Sequence, residues 1–114
     1  MQPPIFHLAD AHAWAAAVEA GRYESSTRGR TLADEGFIHC SYAAQWPIVR
    51  RAFYADVRTP LLLLTIDPDR LASPVRVELG NPSTGEQFPH IYGPLNPGAV
   101  VAVEQLEPPH DHSP

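Results

Sequence analysis

The chain has 114 residues and a formal net charge of −5, from 13 acidic side chains against 8 basic ones, all of which are arginine. This length predicts a single domain with enough core to fold without disulfides or a structural metal. The absence of lysine excludes a Schiff-base lysine and the lysine of a phosphate-binding P-loop. The negative charge makes a nucleic-acid partner unfavourable.

The sequence predicts a cytoplasmic protein with no membrane contact. The N-terminal segment MQPPIFHLAD lacks the charged start and apolar stretch of a signal peptide, and the apolar run 61–64 is too short to cross a bilayer. The single cysteine, Cys40, cannot form an intramolecular disulfide, so no oxidising compartment is indicated. No feature of the sequence indicates a particular oligomeric state.

The first half of the chain predicts alternating strands and helices. Asp10 is a good N-cap for an alanine-rich helix with helical apolar spacing, and Gly21 is a natural stop for it. The predicted order is a strand over 5–9, a helix over 11–20, a loop over 22–31, a helical turn over 31–35, a strand over 37–41 and a helix over 47–55.

The helix over 47–55 has an apolar stripe that we expect to be buried, with the arginines at positions 50 and 51 lying off it. The stripe is formed by Ile48, Val49, Ala52 and Phe53.

The second half predicts four strands, over 61–67, 75–79, 88–93 and 99–106. The first of these is apolar throughout, which is typical of a central strand covered on both faces. Pro89 restricts the third to an edge or an irregular strand. The tail 108–114 is expected to be disordered. Two early helices followed by four strands favour a single α+β domain over residues 1–107, not an alternating parallel sheet.

Three histidines, His7, His39 and His90, each lie in the middle of an apolar, strand-like run. Side chains alternate between the faces of a strand, so Phe37, His39 and Ser41 share one face of their strand, as do Phe88, His90 and Tyr92 of theirs. Each histidine is either a core residue with satisfied hydrogen bonds or part of a site. Their number, with Glu86 close by in sequence, modestly favours a site.

Two other chemistries are weaker alternatives. Cys40 points away from His39 in a regular strand, so we expect a small buried hydrophobe and not an activated thiol. The histidines could supply three metal ligands, but nothing in their spacing requires it, and no metal is expected.

The segment GEQFPHIYGPLNPG, residues 85–98, combines an acid, an amide, a histidine and a tyrosine with turn-forming residues. Its prolines and Gly93 would hold a binding loop in one shape. The alternative is a proline-rich connection between two edge strands.

The motifs IFHLA, GFIHCS, LLLLTID, FPHIYGPLN and AVV, in this order over residues 4–105, resemble a bacterial family catalogued as domain of unknown function 952. That family is similar in fold to the ADP-ribosyltransferases, whose core is a split, bent pair of small sheets around an NAD-binding cleft. The resemblance therefore implies an ADP-ribosyltransferase-like fold with a small-molecule nucleotide, NAD, as the substrate.

The same resemblance implies the site residues. His7 matches the histidine of the first core strand, His39 matches the second, and Glu86 matches the acid near the head of the fifth, so these three are the expected catalytic residues. His39 with Ser41 is also similar to the second strand of RNA 2′-phosphotransferases, which share the fold. The expected nucleotide-binding residues are Ser41, His90, Tyr92, Arg28 and Arg30.

Three functions follow from the resemblance. The first is an NAD- or nucleotide-utilising enzyme that acts at the ribose, as a transferase or a glycohydrolase. The second is a nucleotide-binding module that has the same cleft without catalysis. The third is an RNA 2′-phosphotransferase-like activity, which the net charge of −5 disfavours.

Overall fold

The computed structural model describes residues 2–111, which form three small antiparallel sheets and three helices. The strands are β1 (Ile5–Asp10), β2 (Ser25–Thr27), β3 (Arg30–Thr31), β4 (Ile38–His39), β5 (Leu61–Ile66), β6 (Val75–Asn81), β7 (Glu86–Ile91) and β8 (Val100–Leu106). The helices are α1 (Ala11–Ala20), α2 (Leu32–Glu35) and α3 (Trp46–Phe53), with 3₁₀ turns at Pro68–Arg70 and Pro97–Ala99. The predicted α+β class is confirmed.

Helix α1 covers the residues that the sequence predicts. A side-chain oxygen of Asp10 accepts the N–H of Ala13 at 2.9 Å, and Gly21 closes the helix with φ +80° and an N–H donated to Ala17. This left-handed conformation costs a residue with a side chain free energy that glycine does not lose. Within residues 2–111, no helix is both long and apolar enough to span a membrane.

The first sheet has the order β1-β5-β8, with β5 in the middle. Leu61 and Leu63 of β5 pack on one face with Leu8 and Tyr54, while Leu64 and Ile66 pack on the other face in the main core. The predicted central strand, covered on both faces, is therefore confirmed.

The second sheet has the order β4-β7-β6, so β7 is its middle strand and not an edge strand, which is one of the two alternatives that Pro89 predicts. Proline cannot donate a hydrogen bond, which normally excludes it from a central strand. Here the carbonyl of Pro89 accepts the N–H of Cys40, which lies just beyond the two-residue strand β4. The nitrogen of Pro89, which has no hydrogen to donate, therefore faces the point where β4 leaves the sheet.

The two sheets meet at β1 and the end of β4. Phe6 and Ser41 exchange two backbone hydrogen bonds of 2.7 and 2.8 Å, which form an isolated bridge between the sheets. Beneath this bridge, Ile38 and Ile91 of the second sheet share the main core with Leu64 of the first. Within residues 2–111, one isolated backbone bridge thus joins the two three-stranded sheets, and the β2–β3 pair forms the third sheet.

Residues 22–31, predicted as a loop, contain the β2–β3 hairpin. Gly29, with φ +73°, allows the tight turn. Ser26 is fully buried and donates its hydroxyl hydrogen bond to the carbonyl of Phe37. The sequence does not predict this hairpin because its residues are polar. Backbone hydrogen bonds and the buried Ser26 stabilise it, and no apolar pattern marks it.

The buried side of α3 differs from the prediction. Ile48 is 55% exposed and Phe53 67%, whereas Arg50, expected off the stripe, is only 7% exposed. Arg50 is buried because its Nη2 donates to the carbonyl of Glu107 and its Nε donates to Nδ1 of His110. The C-terminal segment therefore decides which face of α3 is covered.

The tail beyond Leu106 returns to the body of the domain. His110 is fully buried, and its Nε2 lies 2.8 Å from the carbonyl oxygen of Thr59. Residues 108–110, which belong to the tail predicted to be disordered, thus include a buried histidine that is hydrogen-bonded to the buried Arg50. Residues 112–114 of that expected tail lie outside the described residues.

Candidate functional site

His7 is a buried side chain with protein partners on both ring nitrogens. Its Nδ1 lies 2.6 Å from the carbonyl oxygen of His39, and its Nε2 lies 2.8 Å from the hydroxyl of Tyr23. A carbonyl only accepts, so Nδ1 is the protonated nitrogen and Nε2 accepts the hydrogen of Tyr23. Burial lowers the pKa of His7 to about 4.

His7 and His39 lie on opposite sides of the sheets. The bridge pairs Phe6 with Ser41, so these two residues share a side, and alternation puts His39 on that side and His7 on the other. His7 accordingly neighbours the core residues and not the surface. The structure does not bring His7 to the face that carries His39.

His39 projects outward with its ring 41% exposed. Its Nε2 lies 3.1 Å from a carboxylate oxygen of Glu35, at the end of α2, and the other oxygen of Glu35 lies 3.3 Å from the guanidinium of Arg30. The carboxylate favours the tautomer with hydrogen on Nε2, which leaves the lone pair on Nδ1. Arg30, which is predicted to contact a nucleotide, is therefore linked to the exposed His39 through Glu35.

His90 is the cross-strand partner of His39, so the two side chains emerge on the same face. Its Nδ1 lies 2.8 Å from Oε1 of Glu78, which also accepts the hydroxyl of Tyr92 at 2.5 Å. The hydrogen bonds from Tyr92 and then His90 lower the pKa of Glu78, and Glu78 in turn raises the pKa of Tyr92. Glu78 is thus held as a carboxylate against His90.

An aromatic cluster surrounds the two histidines. Phe37 stacks on His90 with ring centroids 4.2 Å apart, and it contacts His39 at 4.7 Å and Tyr92 at 5.3 Å. The rings of His39 and His90 are 5.4 Å apart, edge to face. The guanidinium of Arg76 lies 5.1 Å from the centroid of the Tyr92 ring.

We call this surface the histidine face. It is the outer face of the β4-β7-β6 sheet, and it is formed by Phe37, His39, Arg76, Glu78, His90 and Tyr92.

Three predicted residues lie at or beyond its margin. Glu86 is exposed at the first position of β7, on the side of His90 by alternation, and accepts a hydrogen bond from Nε2 of Gln45 at 3.1 Å. Ser41 is buried where the two sheets meet. Arg28 is paired with both carboxylate oxygens of Asp56, at 2.6 and 2.9 Å, and this ion pair raises its pKa.

Arg28 and Arg30 also line a cleft of about 370 Å³. The cleft lies between the start of α1 and the β2–β3 hairpin, with Tyr23 and Tyr54 among its walls. Arg30 thus borders this cleft and also pairs with Glu35, the carboxylate beside His39.

The sequence reading missed Glu35 and Glu78, which orient the two histidines. Glu35 precedes His39 by four residues, but Gly36 ends α2 between them. Helical spacing therefore does not predict that their side chains meet. Glu78 lies on β6, whose pairing with β7 sets Arg76 opposite His90 and Glu78 opposite Phe88. A hairpin register drawn through 75–91 would have identified Glu78 as a neighbour.

The structure also bears on the two alternative chemistries, an activated thiol at Cys40 and a metal site. Cys40 is 3% exposed, as predicted for a small buried hydrophobe, and burial raises the pKa of its thiol. In the part of the chain that the structure describes, no group of three histidine, cysteine or acidic side chains is arranged to hold a metal.

Comparison with known proteins identifies the family. The model of the family described as "Protein of unknown function (DUF952)" matches residues 8–103. The chain belongs to this family. No curated protein matches the chain.

The fold of this DUF952 protein is similar to solved structures of the Caulobacter crescentus protein CC0527. An X-ray structure is 27% identical in sequence, with a TM-score of 0.78 over 91% of this chain and 86% of that one. A solution NMR structure is 29% identical, with a TM-score of 0.66 over 91% and 84%. The family description names no activity, so the comparisons support the fold, and the similarity to ADP-ribosyltransferases stays a prediction from the sequence.

Proposed function

We propose that this DUF952 protein binds a nucleotide, with NAD as the first ligand to test, on the histidine face and acts at its ribose. One observation carries the proposal. His39 and His90 are each hydrogen-bonded to a carboxylate, and the centroids of their rings lie 5.4 Å apart beside aromatic side chains. Titratable groups oriented in this way, one half-buried and one nearly buried, are typical of sites that bind and transform small molecules.

The aromatic and basic side chains suit the parts of a nucleotide. Phe37 and Tyr92 are half-buried rings on which a base or a nicotinamide could stack. Arg76 and Arg30 lie beside the two histidine–carboxylate pairs and can form paired hydrogen bonds with phosphate oxygens. The sequence-based assignments of Arg30, His90 and Tyr92 to nucleotide binding are kept in this proposal.

The carboxylates suit chemistry at the ribose. Cleavage of the bond between nicotinamide and ribose develops positive charge on the sugar, which a nearby carboxylate stabilises. Glu86, at the head of β7, is proposed for this role, with His39 as the group that orients the substrate or moves a proton. His7, with both ring nitrogens bonded to protein, is assigned a positioning role through the carbonyl of His39.

The architecture supports the proposed ADP-ribosyltransferase-like fold. Two small sheets separate between β1 and β4, and histidines lie on both of those strands while Glu86 begins β7. The proposal keeps a cytoplasmic location, where NAD would be at hand.

Calorimetry with NAD, ADP-ribose and nicotinamide tests binding. We expect binding by the unmodified protein, at least tenfold weaker binding by His39→Ala, and no change in His12→Ala, a matched control at an exposed histidine of α1. The absence of heat from all three ligands at high protein concentration would contradict the proposal.

A second candidate is a nucleotide-binding module without catalysis. Glu86 is four residues from His90 along β7, roughly 13 Å at the rise of a strand, and it is bonded to Gln45. This separation is the observation that supports the second candidate. Release of nicotinamide from NAD, lost in Glu86→Ala while binding is kept, would favour the enzyme, whereas binding without release in the unmodified protein would favour the module.

A further inference from the structure

The two histidines of the histidine face use different ring nitrogens to contact their carboxylates. His39 has its Nε2 against Glu35, and His90 has its Nδ1 against Glu78. Within residues 2–111, neither Nδ1 of His39 nor Nε2 of His90 has a hydrogen-bond partner, and no polar side-chain atom there is both buried and unpartnered. Both nitrogens therefore keep some access to solvent, His39 through a ring that is 41% exposed and His90 through a side chain that is 7% exposed.

We propose that His39 and His90 act as a general base and a general acid that hydrolyse a phosphodiester on the ribose of a small nucleotide. The substrate class is the 2′,3′-cyclic nucleotides. The inference rests on the proposed function. It adds the bond that breaks, the type of reaction and the catalytic roles of the two histidines.

His39 suits the base. Its ring is 41% exposed, and a hydrogen bond from Nε2 to Glu35 leaves the lone pair of Nδ1 directed away from that carboxylate. A carboxylate behind an imidazole fixes its tautomer and stabilises the positive charge that forms when the ring takes a proton.

His90 suits the acid. Its ring lies between the stacked ring of Phe37 and the carboxylate of Glu78, which Tyr92 and His90 together hold ionised. As the acid, His90 would carry hydrogen on both ring nitrogens, with Nδ1 donating to Glu78 at 2.8 Å and Nε2 left to protonate the leaving oxygen.

The reaction balances with water as the only co-reactant. The oxygen of a water molecule bonds to phosphorus while Nδ1 of His39 takes one of its protons. The bond between phosphorus and the 2′ oxygen of the ribose breaks, and the electron pair of that oxygen takes the proton from Nε2 of His90. The product is a 3′-nucleotide, nothing is oxidised or reduced, and proton exchange with solvent restores both rings.

The surroundings favour a small anionic substrate. Arg76 is the cross-strand partner of His90 on β6, which sets a guanidinium beside the acid, where it can bind the non-bridging phosphate oxygens. Phe37 and Tyr92 offer a surface for one base. A net charge of −5 opposes a long polyanion, so a mononucleotide is favoured over RNA.

Hydrolysis of 2′,3′-cyclic AMP, followed by phosphorus NMR, tests the inference. We expect a single phosphate isomer and a bell-shaped dependence of rate on pH, since one ring must be neutral and the other protonated. His39→Ala should lower the rate about 100-fold or more, and Arg76→Gln about tenfold, with Arg58→Gln as the exposed control.

Because His90 is largely buried, His90→Ala is paired with Glu78→Gln, which keeps the shape of the carboxylate and removes its charge. Both should lower the rate at least tenfold while His12→Ala does not. Absence of hydrolysis by the folded, unmodified protein between about pH 5 and 8 overturns the inference, as does hydrolysis that survives in His39→Ala. If NAD or AMP still binds in calorimetry while the cyclic nucleotide is not hydrolysed, the proposed function stands and only this inference fails.

Discussion

The imidazole of His7 donates a hydrogen bond of 2.6 Å from Nδ1 to the backbone carbonyl of His39, across the line where the two sheets separate. The bond ties the strand that carries one histidine to the backbone of the other. The buried ring thereby positions the exposed one. Its second nitrogen accepts the hydroxyl hydrogen of Tyr23, so His7 has no remaining group to offer a ligand.

Tyr23→Phe should destabilise the protein by about 1–3 kcal/mol, because Nε2 of His7 loses its donor in a site from which water is excluded. Tyr42→Phe is the matched control, since the Tyr42 hydroxyl has no hydrogen-bond partner within the described residues, and its effect should stay within about 0.5 kcal/mol. Urea denaturation measures both changes. Equal changes in the two variants would show that the pairing of Tyr23 with His7 is unimportant.

Stability should depend on pH through His7. Its folded pKa of about 4 is below the ordinary value of 6.5, so the neutral ring stabilises the fold above pH 6.5. That stabilisation is lost as the pH falls from 6.5 towards 4, by up to about 3 kcal/mol. In His7→Gln the free energy of unfolding should fall less over this window, whereas His12→Gln should follow the unmodified protein. Parallel curves for all three proteins would contradict the assignment.

The two hydrogen bonds of the His110 ring assign it a single tautomer. Nε of Arg50 donates to its Nδ1, so the proton of the ring must lie on Nε2, towards the carbonyl of Thr59. Nitrogen NMR of the ring should show this single tautomer. His110→Ala should cost about 2–3 kcal/mol, because it leaves Nε of Arg50 buried without its acceptor. A stability equal to that of His12→Ala would argue against the contact.

Cys40 should be nearly inert in the folded protein. Its thiol is buried, and burial raises its pKa, so little thiolate exists at neutral pH. Iodoacetamide labelling, followed by mass spectrometry, should be at least about 100-fold slower in the folded protein than in urea, given the thiolate that nucleophilic attack requires. Rapid labelling without denaturant would instead indicate an accessible, reactive thiol.

Local signals in the sequence predicted much of the fold. The cap residues set the limits of α1, the apolar run 61–67 identified the central strand of the first sheet, and alternation placed His39 with Phe37 and His90 with Tyr92. These features depend on neighbours within a few residues. The β2–β3 hairpin was missed because polar residues form it.

The sequence by itself determined which residues could do chemistry: histidines on strands, with acids and tyrosines close by. Only the tertiary structure decided their roles, because the side to which a strand side chain points depends on how the sheets pair. The bridge between Phe6 and Ser41 turns His7 inward and His39 outward, and the pairing of β6 with β7 brings Glu78 to His90. Such long-range pairings leave no local periodicity in the chain, and for that reason the histidine face emerged only with the fold.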